Sequence, residues 1–123
     1  MIGYVTVGVN DFEAAKTFYE KALAGLEARR GFSNERMQGF SVKGMPAQFM
    51  VCRPYDGGRA SAGNGAMVSL IAPSREAVDR VHKDALAAGA KDEGAPGDRG
   101  NGFYGAYFRD PDGNKICVFK MGQ

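Results

Sequence analysis

Tyr4-Val5-Thr6-Val7, near the start of the chain, and Met67-Val68-Ser69-Leu70, near its middle, decide the fold, because they open two copies of one unit. A shift of 63 positions, from residue 4 to residue 67, lays the first over the second. The match continues: Glu13-Ala14 falls over Glu76-Ala77 and Ala22-Leu23-Ala24 over Ala85-Leu86-Ala87, with Gly25 and Gly89 just beyond. Self-similarity at one period constrains the architecture before any single element is assigned.

Each copy begins with a short β-branched or apolar run suited to a strand and then meets a helix-start signal. In the first copy Asn10 precedes Glu13 at the spacing of a capping box. In the second, Ser74 follows Pro73 and precedes Glu76, which predicts a cap with a negative charge at the positive end of the helix. Phe12, Ala15, Phe18, Tyr19, Ala22 and Leu23 recur at three- and four-residue spacing, as do Val78, Val81, Ala85 and Leu86, so one face of each helix is expected on a sheet. Gly25 and Gly89 are predicted to end these helices at positive φ.

Three strand-like runs follow each helix. They cover about Ala28–Phe32, Met37–Lys43 and Ala47–Arg53 in the first copy, and Ala90–Asp92, Phe103–Arg109 and Lys115–Lys120 in the second. Asp110-Pro111-Asp112-Gly113-Asn114 joins the last two as a turn, with proline presetting φ and glycine accepting positive φ. Each copy therefore reads βαβββ. The Gly-rich stretches Asp56–Gly65 and Gly94–Gly102 are expected to be loops, and neither carries a phosphate-binding glycine pattern.

With 123 residues, 44% of them apolar and 24% charged, the chain fits one globular domain, residues 1–123, with modules of about 1–55 and 64–123. Such a length buries enough surface to fold without disulfides or a structural metal. The +2 formal charge comes from scattered residues, so no nucleic-acid or membrane partner is expected. No signal-peptide pattern and no long apolar run are present, and a cytoplasmic location is the expectation. The two cysteines, Cys52 and Cys117, read as free buried thiols.

The opening strand into Asn10-Asp11-Phe12-Glu13, the segment Ala72-Pro73-Ser74-Arg75-Glu76-Ala77-Val78, and Phe108-Arg109-Asp110-Pro111-Asp112-Gly113-Asn114 resemble the glyoxalase, bleomycin-resistance and extradiol-dioxygenase superfamily, the vicinal oxygen chelate proteins. The resemblance spans essentially the whole chain. It implies an α+β fold of two βαβββ modules whose curved mixed sheets surround a cleft, commonly in a homodimer. It also implies a divalent metal held by histidines and glutamates from the first and last strand of each module. Carried onto this chain, those positions are Tyr4 and Met67 on the first strands and Met50 and Cys117 on the last.

None of the four is a histidine or a carboxylate, whereas catalytic divalent ions favour imidazole nitrogen and carboxylate oxygen. The only histidine, His82, falls on a helix and reads as structural. The expectation is therefore a protein that binds a small, partly apolar molecule in a cleft, with no metal and no cofactor. Tyr4, Met50, Met67, Cys117, Tyr104 and Arg53 are its candidate ligand contacts, with Tyr107 a further candidate beside Tyr104, and no residue is assigned a catalytic role. The alternative is a metal-dependent enzyme with atypical ligands, either a lyase resembling lactoylglutathione lyase or a dioxygenase.

Overall fold

The computed structural model of the chain describes residues 1–122. The first module runs β1 (Tyr4–Gly8), α1 (Phe12–Ala22), a 3-10 turn (Ala24–Leu26), β2 (Arg29–Ser33), β3 (Met37–Ser41) and β4 (Gln48–Cys52). The second runs β5 (Val68–Ile71), α2 (Arg75–Ala87), β6 (Lys91–Asp98), β7 (Phe103–Arg109) and β8 (Lys115–Met121). Each module builds its own four-stranded mixed sheet, in the order β1-β4-β3-β2 and β5-β8-β7-β6. In both, the first and last strands of the module pair in parallel and the remaining pairings are antiparallel. The α+β fold of two βαβββ units is thus the one the repeat predicts, and the two sheets do not close into a barrel.

Alternation along the strands gives each sheet a helix face and an open face. Phe40, Phe49 and Val51 of the first sheet, and Ala106, Phe108, Ile116 and Val118 of the second, join helix residues in one shared core. Tyr19 sits at its centre, fully buried, 4.8 Å edge-to-face from Phe18 and 4.8 Å from Phe49. Close aromatic pairs of this kind contribute about 1 kcal/mol each beyond their buried area.

The helix starts divide between the two readings. Ser74 caps α2 as expected, accepting from the Ala77 N–H at 3.1 Å. In α1 the cap is Asp11, whose Oδ1 accepts from Ala14 N–H at 3.0 Å. Asn10 is drawn away by the second module: its backbone N–H and side-chain amide both donate to Asp112 Oδ1, at 3.0 and 3.1 Å.

Gly89 takes positive φ, 115°, as predicted, but after α1 it is Glu27 (φ 58°) that turns left-handed. Gly25 is small for another reason: a Cβ there would lie 3.2 Å from the Arg80 side chain of α2. The Gly94–Gly102 stretch is also corrected, because β6 extends through it to Asp98, with register shifts around Gly94 that absorb the glycines as bulges. Backbone pairing with β7 outweighs the low strand propensity of the sequence there.

Candidate functional site

The parallel pairing of first and last strands sets which side chains share the open face of each sheet. In the first module Tyr4 pairs with Gln48, Thr6 with Met50 and Gly8 with Cys52. In the second, Ser69 pairs with Cys117 and Ile71 with Phe119, which leaves Met67 beside Lys115. The register therefore adds Thr6, Gln48, Ser69 and Lys115 to the positions read from the sequence. Period-two alternation from Tyr4 could have placed Thr6. Gln48 and Lys115 needed the strand register, which the sequence does not encode locally.

The six predicted contacts do not all meet. Tyr4 and Met67 are exposed, whereas Met50 is 5% exposed and Cys117 fully buried, so a molecule lying on the open face reaches the last two only past their neighbours. Cys52 and Cys117 are free and buried, as expected.

Tyr104 lies on the helix face of β7, where its hydroxyl donates to Asp79 Oδ1 of α2 at 2.6 Å and the Arg75 guanidinium sits 4.8 Å from its ring. That bond to Asp79 is the main reason its phenol pKa is raised. Arg53 also turns to the helix side, 4.8 Å from the Phe12 ring, and its Nε donates to Glu35 O at 3.2 Å. Both belong to faces opposite the one expected. Tyr107 is the tyrosine of β7 that faces outward, through its pairing with Cys117.

The open face of the second sheet is aromatic and cationic. Phe103 and Phe119 stack with centroids 5.2 Å apart and planes within 10°. Gly105 makes the space for this pair, since a Cβ there would collide with the Phe103 ring. Arg99 folds back over β6, donating to Gly97 O at 2.8 Å and Ala95 O at 2.7 Å, and its guanidinium lies 5.5 Å from the Tyr107 centroid. Lys115 Nζ lies 5.6 Å from the same ring and has no ion-pair partner among the described residues. Burial, then the neighbouring Cys117, push the Tyr107 phenol above its ordinary value, so it remains a donor at neutral pH. Arg109, further along, is neutralised by Glu93 at 2.9 Å.

The first open face has no such aromatic stack, and its charged position is Arg29 at the far strand β2, paired with Ser41. The carboxamide of Gln48 lies across Gly31 and Gly39, and its Oε1 accepts from Phe32 N–H at 3.3 Å.

The donor set does not fit the family's metal. The first- and last-strand positions offer phenol, hydroxyl, thioether and a buried thiol, and among the described residues no three of His, Cys, Asp or Glu come together. A second copy would bring the same residues. His82 is occupied structurally: it is 6% exposed, with Nε2 3.0 Å from Asp92 Oδ1.

Two buried or half-buried polar links tie the modules together at the Asp110 turn, and a third bond braces the turn itself. Tyr19 OH donates to Asp110 Oδ2 at 2.6 Å, and Asn114 Nδ2 donates to Gly8 O at 2.9 Å and to Asp110 Oδ2 at 3.0 Å. Burial, followed by the nearby Asp110 carboxylate, holds the Tyr19 phenol pKa well above 10.0. The most specific motif in the sequence is therefore a joint. No helix among the described residues is long and apolar enough to cross a membrane.

The model of the Glyoxalase/Bleomycin resistance protein/Dioxygenase superfamily matches residues 1–118. A glyoxalase/bleomycin resistance protein from Albidiferax ferrireducens T118 is similar at 37% identity, with 98% of each chain covered and a TM-score of 0.88. A glyoxalase/bleomycin resistance protein/dioxygenase family enzyme from Burkholderia phytofirmans PsJN shares the fold at 18% identity, with 97% of each chain covered and a TM-score of 0.76. Lactoylglutathione lyase from Agrobacterium tumefaciens shares it at 21% identity, over 98% of this chain and 92% of that one, with a TM-score of 0.70. No curated protein matches the chain. With the two βαβββ sheets, the Asp110 joint and these matches in agreement, the chain belongs to the glyoxalase/bleomycin resistance protein/dioxygenase superfamily.

Proposed function

We propose that the protein binds a small, planar, partly apolar molecule on its open sheet faces without a conventional metal centre. The observation that carries this reading is the second open face, which carries the Phe103–Phe119 stack at one end and Tyr107 further along, with the unpaired ammonium of Lys115 5.6 Å from the Tyr107 ring. Flat apolar surface beside a cation and a phenol donor favours an aromatic body with an anionic or acceptor-bearing edge. Enzymatic turnover of the lyase or dioxygenase type is the weaker reading, because the ligand positions lack the donors that chemistry uses.

The reading includes a homodimer. The outer edges of β1 and β5 have no strand partner among the described residues, and Ile2, Tyr4, Met67 and Ile71 beside them are exposed. Exposed edges of this kind commonly pair with another chain.

Calorimetric titration with 2-naphthoate tests the binding. Saturable binding weakened by about tenfold or more in Tyr107→Ala, a loss of about 1.4 kcal/mol, is expected. Absence of saturable binding, or binding indifferent to Tyr107→Ala, would overturn the assignment. Solution mass, measured in parallel, tests the dimer.

A further inference from the structure

We infer that Arg99 is a second cationic contact of the second open face, so that the ligand selected there is a planar molecule with two separate anionic groups. The inference rests on the binding reading of that face and names the class of ligand it takes.

The Gly94–Gly102 stretch supplies the geometry, because its glycines clear a seat for the Arg99 side chain. A Cβ on Gly97 would lie 3.0 Å from Arg99 Nη1, and one on Gly94 would lie 3.2 Å from Nη2 and 2.9 Å from Tyr107 Cδ2. Gly94 pairs with Tyr107, and Gly97 pairs with Gly105, over which the Phe103 ring lies. The guanidinium is therefore laid on the face that carries Tyr107 and Phe103. The chain holds it there from both ends: Arg99 N–H donates to Phe103 O at 2.7 Å, and the two Nη atoms donate to Gly97 O and Ala95 O.

Those two carbonyls take one N–H from each Nη and leave the charge unanswered. The acidic residues of β6 are engaged elsewhere, Asp92 with His82 at 3.0 Å, Glu93 with Arg109 at 2.9 Å and Asp98 with Arg75 at 3.6 Å. Arg99 itself has no ion-pair partner among the described residues. A guanidinium already fixed in place, with N–H groups to spare, loses less side-chain freedom on meeting an anion than a free one does.

Arg99 and Lys115 approach Tyr107 from opposite sides. The Arg99 guanidinium folds back over β6, Lys115 starts β8, and β7 runs between those two strands in the sheet. Their charges lie 5.5 and 5.6 Å from the Tyr107 centroid. A monoanion held by Lys115 leaves Arg99 unused, whereas a flat body over Tyr107 with an anionic group at each end meets both.

Calorimetric titration of the full chain at physiological salt with naphthalene-2,6-dicarboxylate and with 2-naphthoate tests this. The dicarboxylate should bind about fivefold or more tighter, beyond the factor of about two that two equivalent carboxylates give by statistics alone. Arg99→Gln should reduce that advantage to about twofold while 2-naphthoate affinity stays within about twofold of the parent's. Arg99 is exposed, and circular dichroism checks that the variant keeps its fold. A role confined to bracing the end of β6 would weaken both ligands alike and leave their ratio unchanged.

An advantage of no more than about twofold in the parent chain, or a larger one that survives Arg99→Gln, overturns this inference while 2-naphthoate binding keeps the reading of the open face. Absence of binding by both compounds overturns the two together.

Discussion

The two modules share one chain path and differ in what they contribute. In the second, α2 packs over β6, β7 and β8 of its own sheet. In the first, α1 rests largely on α2 and β4, and is fastened by Tyr19 and Asn10 to the turn at Asp110–Asp112. The open faces diverge as well: the second gathers Phe103, Tyr107, Phe119 and Lys115, while the first presents Tyr4, Thr6 and the glycine-seated Gln48 without any charge at those positions. The repeated path is thus a common scaffold, and the second module holds both the joint that organises the first and the more aromatic open face.

Breaking the joint should have the largest effect. Asp110 is 4% exposed and its carboxylate accepts from Tyr19 OH, Asp112 N–H, Asn114 N–H and Asn114 Nδ2. Asp110→Ala leaves the buried Tyr19 hydroxyl unpaired, and a loss of about 3 kcal/mol in urea-unfolding stability is expected. A loss below about 1 kcal/mol would show that the modules hold together without this turn.

Tyr19→Phe removes a single partner of that joint and should cost about 1–2 kcal/mol, since Asp110 Oδ2 keeps Asn114. It also carries a pH signature. The folded chain holds the Tyr19 proton past the unfolded value of 10.0. The stability from this group is therefore complete below about pH 10 and declines as pH rises from there toward the raised folded pKa. Chemical denaturation across this range should show a shallower alkaline loss in Tyr19→Phe than in the parent chain.

The contrast between the open faces is sharpened by titrating two variants with the same aromatic carboxylate. Lys115→Ala should lower 2-naphthoate affinity by about fivefold, an effect of about 1 kcal/mol that shrinks at high salt. Thr6→Ala, on the first open face, should change it by less than about twofold. Equal effects from the two would erase the distinction between the faces. The smallest change is expected at the exposed helix pair Arg80–Asp84, 3.3 Å apart, where Arg80→Ala should alter stability by no more than about 0.5 kcal/mol.

Much of the fold was legible because it rests on local signals repeated in register. Ser74, the Asp110–Asn114 turn and the apolar spacing of both helices are all where the sequence places them. The site was less legible because it depends on pairing between distant segments. Tyr104 and Tyr107 lie on a strand, Phe-Tyr-Gly-Ala-Tyr-Phe-Arg, that is apolar on both faces, so alternation alone does not say which tyrosine looks outward. Asn10 lost its capping role to a residue 102 positions away in sequence, Asp112, and no local rule anticipates that bond. Arg53 ends β4 with its side chain drawn to Phe12, a contact decided by where α1 begins.

The central claim is recognition of a small molecule by aromatic, phenolic and cationic side chains without a conventional metal centre. Its most direct test is the affinity for 2-naphthoate before and after exhaustive chelation, with bound metal per chain quantified by plasma mass spectrometry on the same sample. The account predicts well under one metal ion per chain and an affinity that chelation leaves unchanged. Near-stoichiometric divalent metal, with binding that is lost on chelation and restored by the ion, would contradict it and move the metal-dependent enzyme reading to first place.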